Sequence, residues 1–124
     1  MSTAVVTADV GETVKEAHVD MQVGVIRHLP VLDDRRRLVG MLSDRDVLRA
    51  VASKRNGRVS EVMTRDVVTI RPEAPAYEAA QVMLDLKIGS LAVVDDDGTL
   101  VGLVTQTDYL ELARRALLGL SLER

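Results

Sequence analysis

The sequence predicts an α/β fold of the α+β kind, in which two β-α-β-β-α repeats pack sheet to sheet with pseudo-twofold symmetry as one compact globule. The main observation is an internal repeat: residues 1–49 align with residues 63–111 without a gap, and 17 of these 49 positions are identical. A unit of about 50 residues with three short strands cannot cover its own sheet, whereas two such units can. With 47% apolar residues, the 124-residue chain also has enough apolar surface for a shared core.

The first repeat alternates between short apolar runs and helical patterns. The run that ends at Thr7 predicts the first strand. Apolar residues then recur at helical spacing over residues 14–25, and Thr13 with Glu16 three positions later indicates a capping box at the start of this helix. Two more strands and a second helix complete the repeat over residues 29–32, 38–42 and 44–52.

The second repeat shows the same order of elements. Its first strand is predicted at residues 67–69, and Pro75 suits the first turn of a helix that extends to Lys87. Two strands and a closing helix follow at residues 91–94, 100–104 and 106–118. We therefore predict a first repeat, a polar connector, a second repeat and a C-terminal tail, with bounds of 1–52, 53–62, 63–118 and 119–124.

Charge and composition exclude several classes of function. The chain has 16 basic and 19 acidic residues, so no overall positive field attracts duplex DNA, and two tyrosines offer little stacking surface for single strands. Without cysteine there is no disulfide, thiolate metal site or cysteine nucleophile. No signal segment and no apolar run near the ~18 residues of a membrane span is present. We expect a cytoplasmic protein with no metal, membrane or nucleic-acid partner.

One motif occurs in both repeats, at residues 40–46 and 102–108: a glycine, two apolar residues, a hydroxyl residue, any two residues and an aspartate. Ser43 and Thr105 stand at a strand-to-helix corner, where free backbone N–H groups and the helix dipole favour a phosphate. Asp46 and Asp108 follow one turn later, and an ionised carboxylate can accept both hydroxyls of a ribose. The same spacing is typical of an ordinary helix cap, and the two interpretations are compatible.

The order and duplication of these motifs resemble a pair of CBS domains, the module also called a Bateman domain. The resemblance rests on residues 26–33 and 38–46 of the first repeat and residues 62–64, 88–95 and 100–108 of the second. It implies a regulatory module that binds AMP, ADP, ATP or S-adenosylmethionine and forms a homodimer. In such a module Asp46 and Asp108 would hold the ribose, with Ser43 and Thr105 near the phosphate.

The resemblance also implies which residues surround the adenine. They lie in the first strand region of a repeat and just before its second strand: Thr7, Asp9, Val10, Thr69, Arg71, Pro72, Arg27, His28, Gly89 and Ser90. The two clefts are expected to differ in charge. Arg27, His28 and Arg45 are cationic or can become so, unlike the residues that correspond to them in the second repeat.

We therefore predict a non-catalytic nucleotide sensor that needs no cofactor and acts through its dimer interface or through a regulated protein that the sequence does not identify. No phosphate loop with a lysine, paired-histidine motif or nucleophile elbow supports an enzyme. The alternative is a ligand-free dimerisation or protein-interaction module that uses the first helix of each repeat, through Met21 and Met83. A further possibility is that the chain is the regulatory part of a larger enzyme or transporter.

Overall fold

The computed structural model describes residues 5–53 and 57–121 and shows two three-stranded sheets, each flanked by helices. The first repeat contains β1 (Ala8–Asp9), α1 (Val14–Gly24), β2 (His28–Leu32), β3 (Leu38–Ser43) and α2 (Asp44–Ala52). After α3 (Val59–Val62), the second repeat contains β4 (Thr69–Ile70), α4 (Ala76–Leu86), β5 (Ser90–Val94), β6 (Leu100–Thr105) and α5 (Gln106–Ala116). The strand orders are β1-β2-β3 and β4-β5-β6, so the predicted β-α-β-β-α order is confirmed.

The first strand of each repeat begins later than the apolar runs at residues 5–7 and 67–69 predicted. β4 starts at Thr69, which corresponds to Thr7 of the first repeat. β1 starts one position later, at Ala8. Thr69 pairs in parallel with Ala92, and the residue that corresponds to Ala92 in the first repeat is Pro30. Proline has no backbone N–H to donate, so the first sheet lacks the parallel pair that Thr69 and Ala92 form in the second.

The two hairpin turns meet at the pseudo-twofold axis. The Leu38 N–H donates to the Gly98 carbonyl at 2.9 Å, and the Leu100 N–H donates to the Arg36 carbonyl at 3.4 Å. Leu100 and Gly98 follow Leu38 and Arg36 by 62 positions, so the pseudo-twofold axis relates the two bonds to each other. Arg36 and Gly98 have left-handed backbones with φ of 63° and 83°, as tight turns require. The predicted sheet-to-sheet pairing of two symmetric repeats is confirmed.

The turn before β3 is held by the carboxylate of Asp33. Its Oδ1 accepts the backbone N–H groups of Arg35 and Arg37, both at 2.9 Å, and Asp95 makes the corresponding bonds in the second repeat. These backbone hydrogen bonds, with the Arg37 side chain, lower the pKa of Asp33 below its ordinary value. Each hairpin is therefore fixed locally before the two repeats meet.

The short helix α3 lies within the predicted connector but packs as part of the first repeat. Val59 and Met63 are buried in the first core with Val14, Ala17 and Val47. The Val59 N–H donates to the Glu12 carbonyl at 2.8 Å, which anchors the start of the helix beside α1. Residues 54–56 of the predicted connector lie outside the described residues. The sequence did not predict that α3 packs on the first core, because four residues are too few to show a helical period.

Candidate functional site

A cleft of about 330 Å³ lies between the two repeats. The first repeat lines it with His28 at the start of β2, Met41 and Ser43 on β3, and Asp46 in the first turn of α2. The second repeat contributes residues from the segment before β4 and from the segment that leads into the first residue of β5, which are Thr64, Asp66, Val67, Val68, Lys87, Ile88, Gly89 and Ser90. The site therefore exists only when both repeats are folded against each other.

A short backbone pairing brings the second repeat to the cleft. Met41 and Thr64 exchange two hydrogen bonds, each of 2.9 Å, on the edge of β3 that faces away from β2. This pairing directs the residues that follow Thr64 across the end of β3, beside Ser43 and Asp46. The edge of β3 is thereby paired instead of exposed, which also removes unsatisfied backbone groups from the wall of the cleft.

Ser43 and Asp46 form a complete capping box at the start of α2. The Ser43 hydroxyl accepts the Asp46 N–H at 3.1 Å, and Asp46 Oδ2 accepts the Ser43 N–H at 3.0 Å. The capping interpretation is therefore correct for this motif. Asp46 lines the cleft, and its Oδ1 has no hydrogen-bond partner among the residues that the structure describes.

Two cationic or potentially cationic side chains border the cleft, one from each repeat. Lys87 ends α4 in a left-handed conformation with φ of 56°, and its backbone N–H donates to the Met83 carbonyl. This sharp reversal leads the chain directly into β5 along the wall of the cleft. His28 stands on the other side, at the first position of β2. Asp66 and Asp46 add two carboxylates, so the cleft contains both signs of charge.

Five of the residues predicted from the sequence meet in this cleft: Ser43, Asp46, His28, Gly89 and Ser90. Other predicted residues lie outside its lining. Arg27 and Arg45 are exposed, although the Arg27 carbonyl accepts the Asp44 N–H at the start of α2. Val10 packs against the first core, and the exposed Asp9 closes β1. Thr7 and Thr69 flank or begin the first strands and do not line the cleft.

The second copy of the motif also forms a capping box. The Thr105 N–H donates to Asp108 Oδ2 at 2.8 Å, and the Asp108 N–H donates to the Thr105 hydroxyl at 3.4 Å. Asp108 lines a groove beside α5, where burial and the charge of Asp108 raise the pKa of Tyr109. The residues that correspond to Thr64 and Asp66 are Ser2 and Ala4, outside the described residues, so the cleft of this copy is not described.

Sequence reasoning missed the residues that approach from the segment before β4 and from the end of α4. Thr64, Asp66, Val67 and Val68 belong to no motif that implies chemistry, and only their pairing with β3 brings them to the cleft. For Lys87 a signal was present, because it replaces the valine that ends the corresponding helix of the first repeat. A charge that appears at one repeat and not at the other marks a position where the two clefts can differ.

The pattern of the CBS domain matches residues 1–53 and 59–115 of the chain, once for each repeat. The chain belongs to the CBS domain family. Among relatives, inosine-5′-monophosphate dehydrogenase of Methanocaldococcus jannaschii is 36% identical over 107 residues, which are 86% of this chain and 21% of that enzyme. The chain spans about a fifth of the length of such curated relatives.

Solved CBS domain pairs share the whole arrangement. The CBS domain pair of protein MJ0100, in complex with 5′-methylthioadenosine and S-adenosyl-L-methionine, gives a TM-score of 0.85 at 31% identity and covers 94% of this chain and 93% of that one. CBSX2 in complex with AMP gives a TM-score of 0.81 at 26% identity, with 91% and 90% coverage. Both of these neighbours bind molecules that contain adenosine.

None of the helices in residues 5–53 and 57–121 is long and apolar enough to cross a membrane. Within the same ranges, no group of three histidine, aspartate or glutamate side chains is arranged to hold a metal ion.

Proposed function

We propose that this CBS domain pair is a non-catalytic regulatory module that binds an adenine nucleotide in the cleft between its repeats. The observation that carries the proposal is the meeting of Ser43 and Asp46 with Gly89 and Ser90 across the two repeats in one cavity. Nucleotides favour such junctions, where a ligand can contact two units at once. A ligand that bridges the repeats biases their relative arrangement by its differential affinity, which a partner or a dimer interface can detect.

The free Oδ1 of Asp46 is the group best suited to a ribose. An ionised carboxylate accepts hydrogen bonds only, and charge-assisted bonds to two hydroxyls favour a sugar over water. Oδ2 is held by the Ser43 N–H, so the carboxylate is oriented before a ligand arrives. Met41, Val67 and Ile88 offer aliphatic surface for the base, which agrees with the scarcity of aromatic residues.

The positive groups of the cleft support a phosphorylated adenosine as the ligand, and the carboxylates of Asp46 and Asp66 lie in the same cleft. Lys87 and His28 border the cleft, and the N-terminus of α2 adds a partial positive charge at Ser43. The positions that correspond to Lys87 and Gly89 are Val25 and Arg27, and His28 and Ser90 correspond to each other, so charge alone does not distinguish the two clefts. We propose the AMP-type ligand for the cleft that contains Asp46, which is the one that the structure describes.

Thermal unfolding with AMP, ADP, ATP and S-adenosylmethionine tests the proposal. A ligand at about 100 times its dissociation constant adds about 2.7 kcal/mol to the free energy of unfolding. We expect AMP or a close relative to stabilise the protein and S-adenosylmethionine to act less. No stabilisation by any of the four, in protein shown to be folded, contradicts nucleotide binding.

Matched variants locate the ligand. Asp46→Asn keeps a hydrogen-bond acceptor for the cap but loses the charge, so the affinity for AMP falls by about tenfold or more. Asp44→Asn removes the same charge from the same helical turn outside the cleft and leaves the affinity nearly unchanged. Equal effects of both substitutions on calorimetric affinity show that the ligand binds elsewhere.

A second pair of variants tests the phosphate. Lys87→Met weakens binding of AMP but not of adenosine, because only AMP carries the charge that the ammonium group attracts. The control is Lys15→Met, an exposed lysine on α1 away from the cleft. If Lys87→Met weakens adenosine as much as AMP, the phosphate does not lie beside this residue.

The second candidate function is a ligand-free dimerisation module, which the exposed apolar side chains of the helices favour. Val23 on α1 is 81% exposed and Leu84 on α4 is 72% exposed. Met21 and Met83, expected from the sequence to form this surface, are buried in the two cores, so that expectation is wrong. Double substitution of Val23 and Leu84 by serine converts a dimer to a monomer in light scattering if this surface pairs. Nucleotide response then separates the two functions, because only the first requires it.

A further inference from the structure

Met41 borders the cleft between the repeats, in the middle of β3. Its side chain is only partly buried, whereas the other methionines in the part of the chain that the structure describes are 4%, 8% and 6% exposed; these are Met21, Met63 and Met83. The latter three belong to the two cores. Among the described residues, the thioether of Met41 is therefore the one that is accessible from the proposed nucleotide cleft.

The backbone of Met41 is held on both sides, which fixes where the side chain projects. On one side it pairs with Pro30 of β2 in the antiparallel ladder, and on the other it exchanges two hydrogen bonds of 2.9 Å with Thr64. Successive residues of a strand project to opposite faces. Leu42 projects into the first core, and Met41 shares the other face with Ser43, which also lines the cleft. The thioether therefore stands in the wall of the cleft before a ligand binds.

The second repeat shows that this position does not require sulfur. The residue that corresponds to Met41 is Leu103, which is 9% exposed and buried. Leucine and methionine are similar in volume, and an exchange between them usually costs little stability. The methionine at the more accessible of the two positions is therefore a chemical difference between the repeats and not a demand of the fold.

The thioether suits the base of the proposed nucleotide. Methionine sulfur makes favourable contacts with aromatic rings because it is polarisable, and no tyrosine lines this cleft. The rest of the aliphatic lining comes from Val67, Val68 and Ile88. Addition of one oxygen converts methionine to a polar, chiral sulfoxide, which disrupts apolar contact surfaces. A sulfoxide at Met41 would therefore place an oxygen atom in the apolar part of the wall.

We propose that Met41 is an oxidation site that controls nucleotide binding, a regulation that rests on the nucleotide site proposed above. The oxidant is hydrogen peroxide or an organic hydroperoxide. A lone pair of the sulfur attacks the terminal peroxide oxygen, so that the S–O bond forms while the O–O bond breaks. The attacked oxygen gives its proton to the leaving oxygen, which departs as water or an alcohol. The sulfur loses two electrons, the peroxide gains them, and a methionine sulfoxide reductase reverses the change.

The first experiment maps the oxidation on the full chain without nucleotide. Trypsin cuts after lysine and arginine and places the four described methionines in four separate peptides, so mass spectrometry follows each of them. During brief treatment with hydrogen peroxide, we expect Met41 to oxidise about tenfold faster than each of the three buried methionines, because these react only when the fold opens. In a parallel sample, saturating AMP should slow the oxidation of Met41 by about fivefold, because the base covers the sulfur.

The second experiment measures the affinity for AMP by calorimetry before and after oxidation. The oxidised protein should bind AMP about tenfold more weakly, because the base loses an apolar contact and meets a polar group without a partner. Treatment with the reductase should restore the original affinity. In Met41→Leu, which has the residue of the second repeat at this position, peroxide should leave the affinity at the value of the untreated variant. Met83→Leu is the matched control, since it removes a buried methionine and should keep the sensitivity to peroxide.

Three results would overturn the proposal. If Met41 oxidises no faster than the buried methionines, the cleft does not expose its sulfur. If the affinity for AMP is unchanged after complete oxidation of Met41, the thioether is not part of the binding surface. If peroxide weakens AMP binding equally in Met41→Leu, the loss belongs to another residue. Failure of the untreated protein to bind any nucleotide overturns the control of binding together with the proposed function, whereas the oxidation map, which uses no nucleotide, still decides whether Met41 is the oxidation site.

Discussion

The two repeats contain the same elements in the same order but differ in how well they are covered. In the first repeat, α2 buries Val47 and Ala50 beneath α3. In the second, none of the described side chains of α5 is buried, and Tyr109 and Leu112 line an open groove. Equal local structure therefore does not produce equal packing. Among the described residues, α3 covers the core of the first repeat, and no corresponding segment lies over that of the second.

The nucleotide cleft shows a similar contrast. Its walls come from both repeats, and two of its residues differ from their counterparts in the other repeat. His28 corresponds to Ser90, and Lys87 corresponds to Val25. A duplicated fold thus offers two related surfaces, and single substitutions give each one its own chemistry. The three predictions below test this asymmetry, beginning with the largest effect on stability.

Leu42→Ala and Val104→Ala remove apolar side chains at corresponding positions of the two repeats. Leu42 is fully buried in the closed core, so its truncation leaves a cavity and lowers the free energy of unfolding by about 3 kcal/mol. Val104 is only partly buried and lines the open groove, so its truncation costs about 1 kcal/mol. Urea denaturation measures both values. Equal losses would show that the second core is as closed as the first.

Gly40→Ala tests how closely the α3 segment is held against β3. A Cβ added at Gly40 would overlap the Met63 sulfur and lie 3.0 Å from the Thr64 carbonyl oxygen. Relief of this overlap displaces a buried methionine, and we expect a loss of about 2 kcal/mol in the free energy of unfolding. At Gly89 the nearest atoms are 3.5 Å away, so Gly89→Ala should have little effect. If Gly40→Ala is equally harmless, Met63 is not packed against β3.

Glu12→Gln tests a charge that the second repeat lacks, since Ala74 is the corresponding residue. Burial raises the pKa of Glu12, and repulsion from Asp20, Asp9 and Glu16 adds to this effect. A raised pKa means that ionisation destabilises the folded state, so the cost is absent below pH 4.5 and complete above the folded pKa. The glutamine variant should be more stable at neutral pH, by less than about 0.5 kcal/mol after solvent screening.

Chemical denaturation across the pH range provides the measurement. The advantage of Glu12→Gln should shrink as the pH falls and vanish below pH 4.5, where the wild-type carboxyl is protonated as well. A difference that stays constant over this range would mean that the substitution acts through packing and not through charge.

Much of the fold was predictable because its signals are local. The capping residues Thr13 and Ser43 indicated where α1 and α2 begin, and α2 begins and ends where the pattern predicted. The start of β1 was not predictable from its own apolar run, because the strand depends on which groups of β2 can pair with it. The role of α3 was also hidden, because Val59 is apolar in a polar stretch and only the folded chain shows what it covers.

The candidate site likewise combines residues that the sequence could predict with residues that it could not. Ser43 and Asp46 could be selected from their spacing, and their capping box forms within one helical turn. Asp66 and Lys87 could not be selected, because they reach the cleft from segments that are distant in sequence. Arg27 and Arg45 were reasonable cationic candidates beside the motif, but both are exposed away from this cleft, and the structure brings Lys87 to it instead.

By itself, the sequence determined the duplication, the order of elements in each repeat, the turns and the helix caps, because these depend on residues within a few positions of one another. Only the tertiary structure decided which residues share the cleft and that α3 covers the first core. Those outcomes depend on contacts between segments far apart in the chain, and a symmetric sequence pattern cannot show which of two equivalent surfaces a single connecting helix will cover.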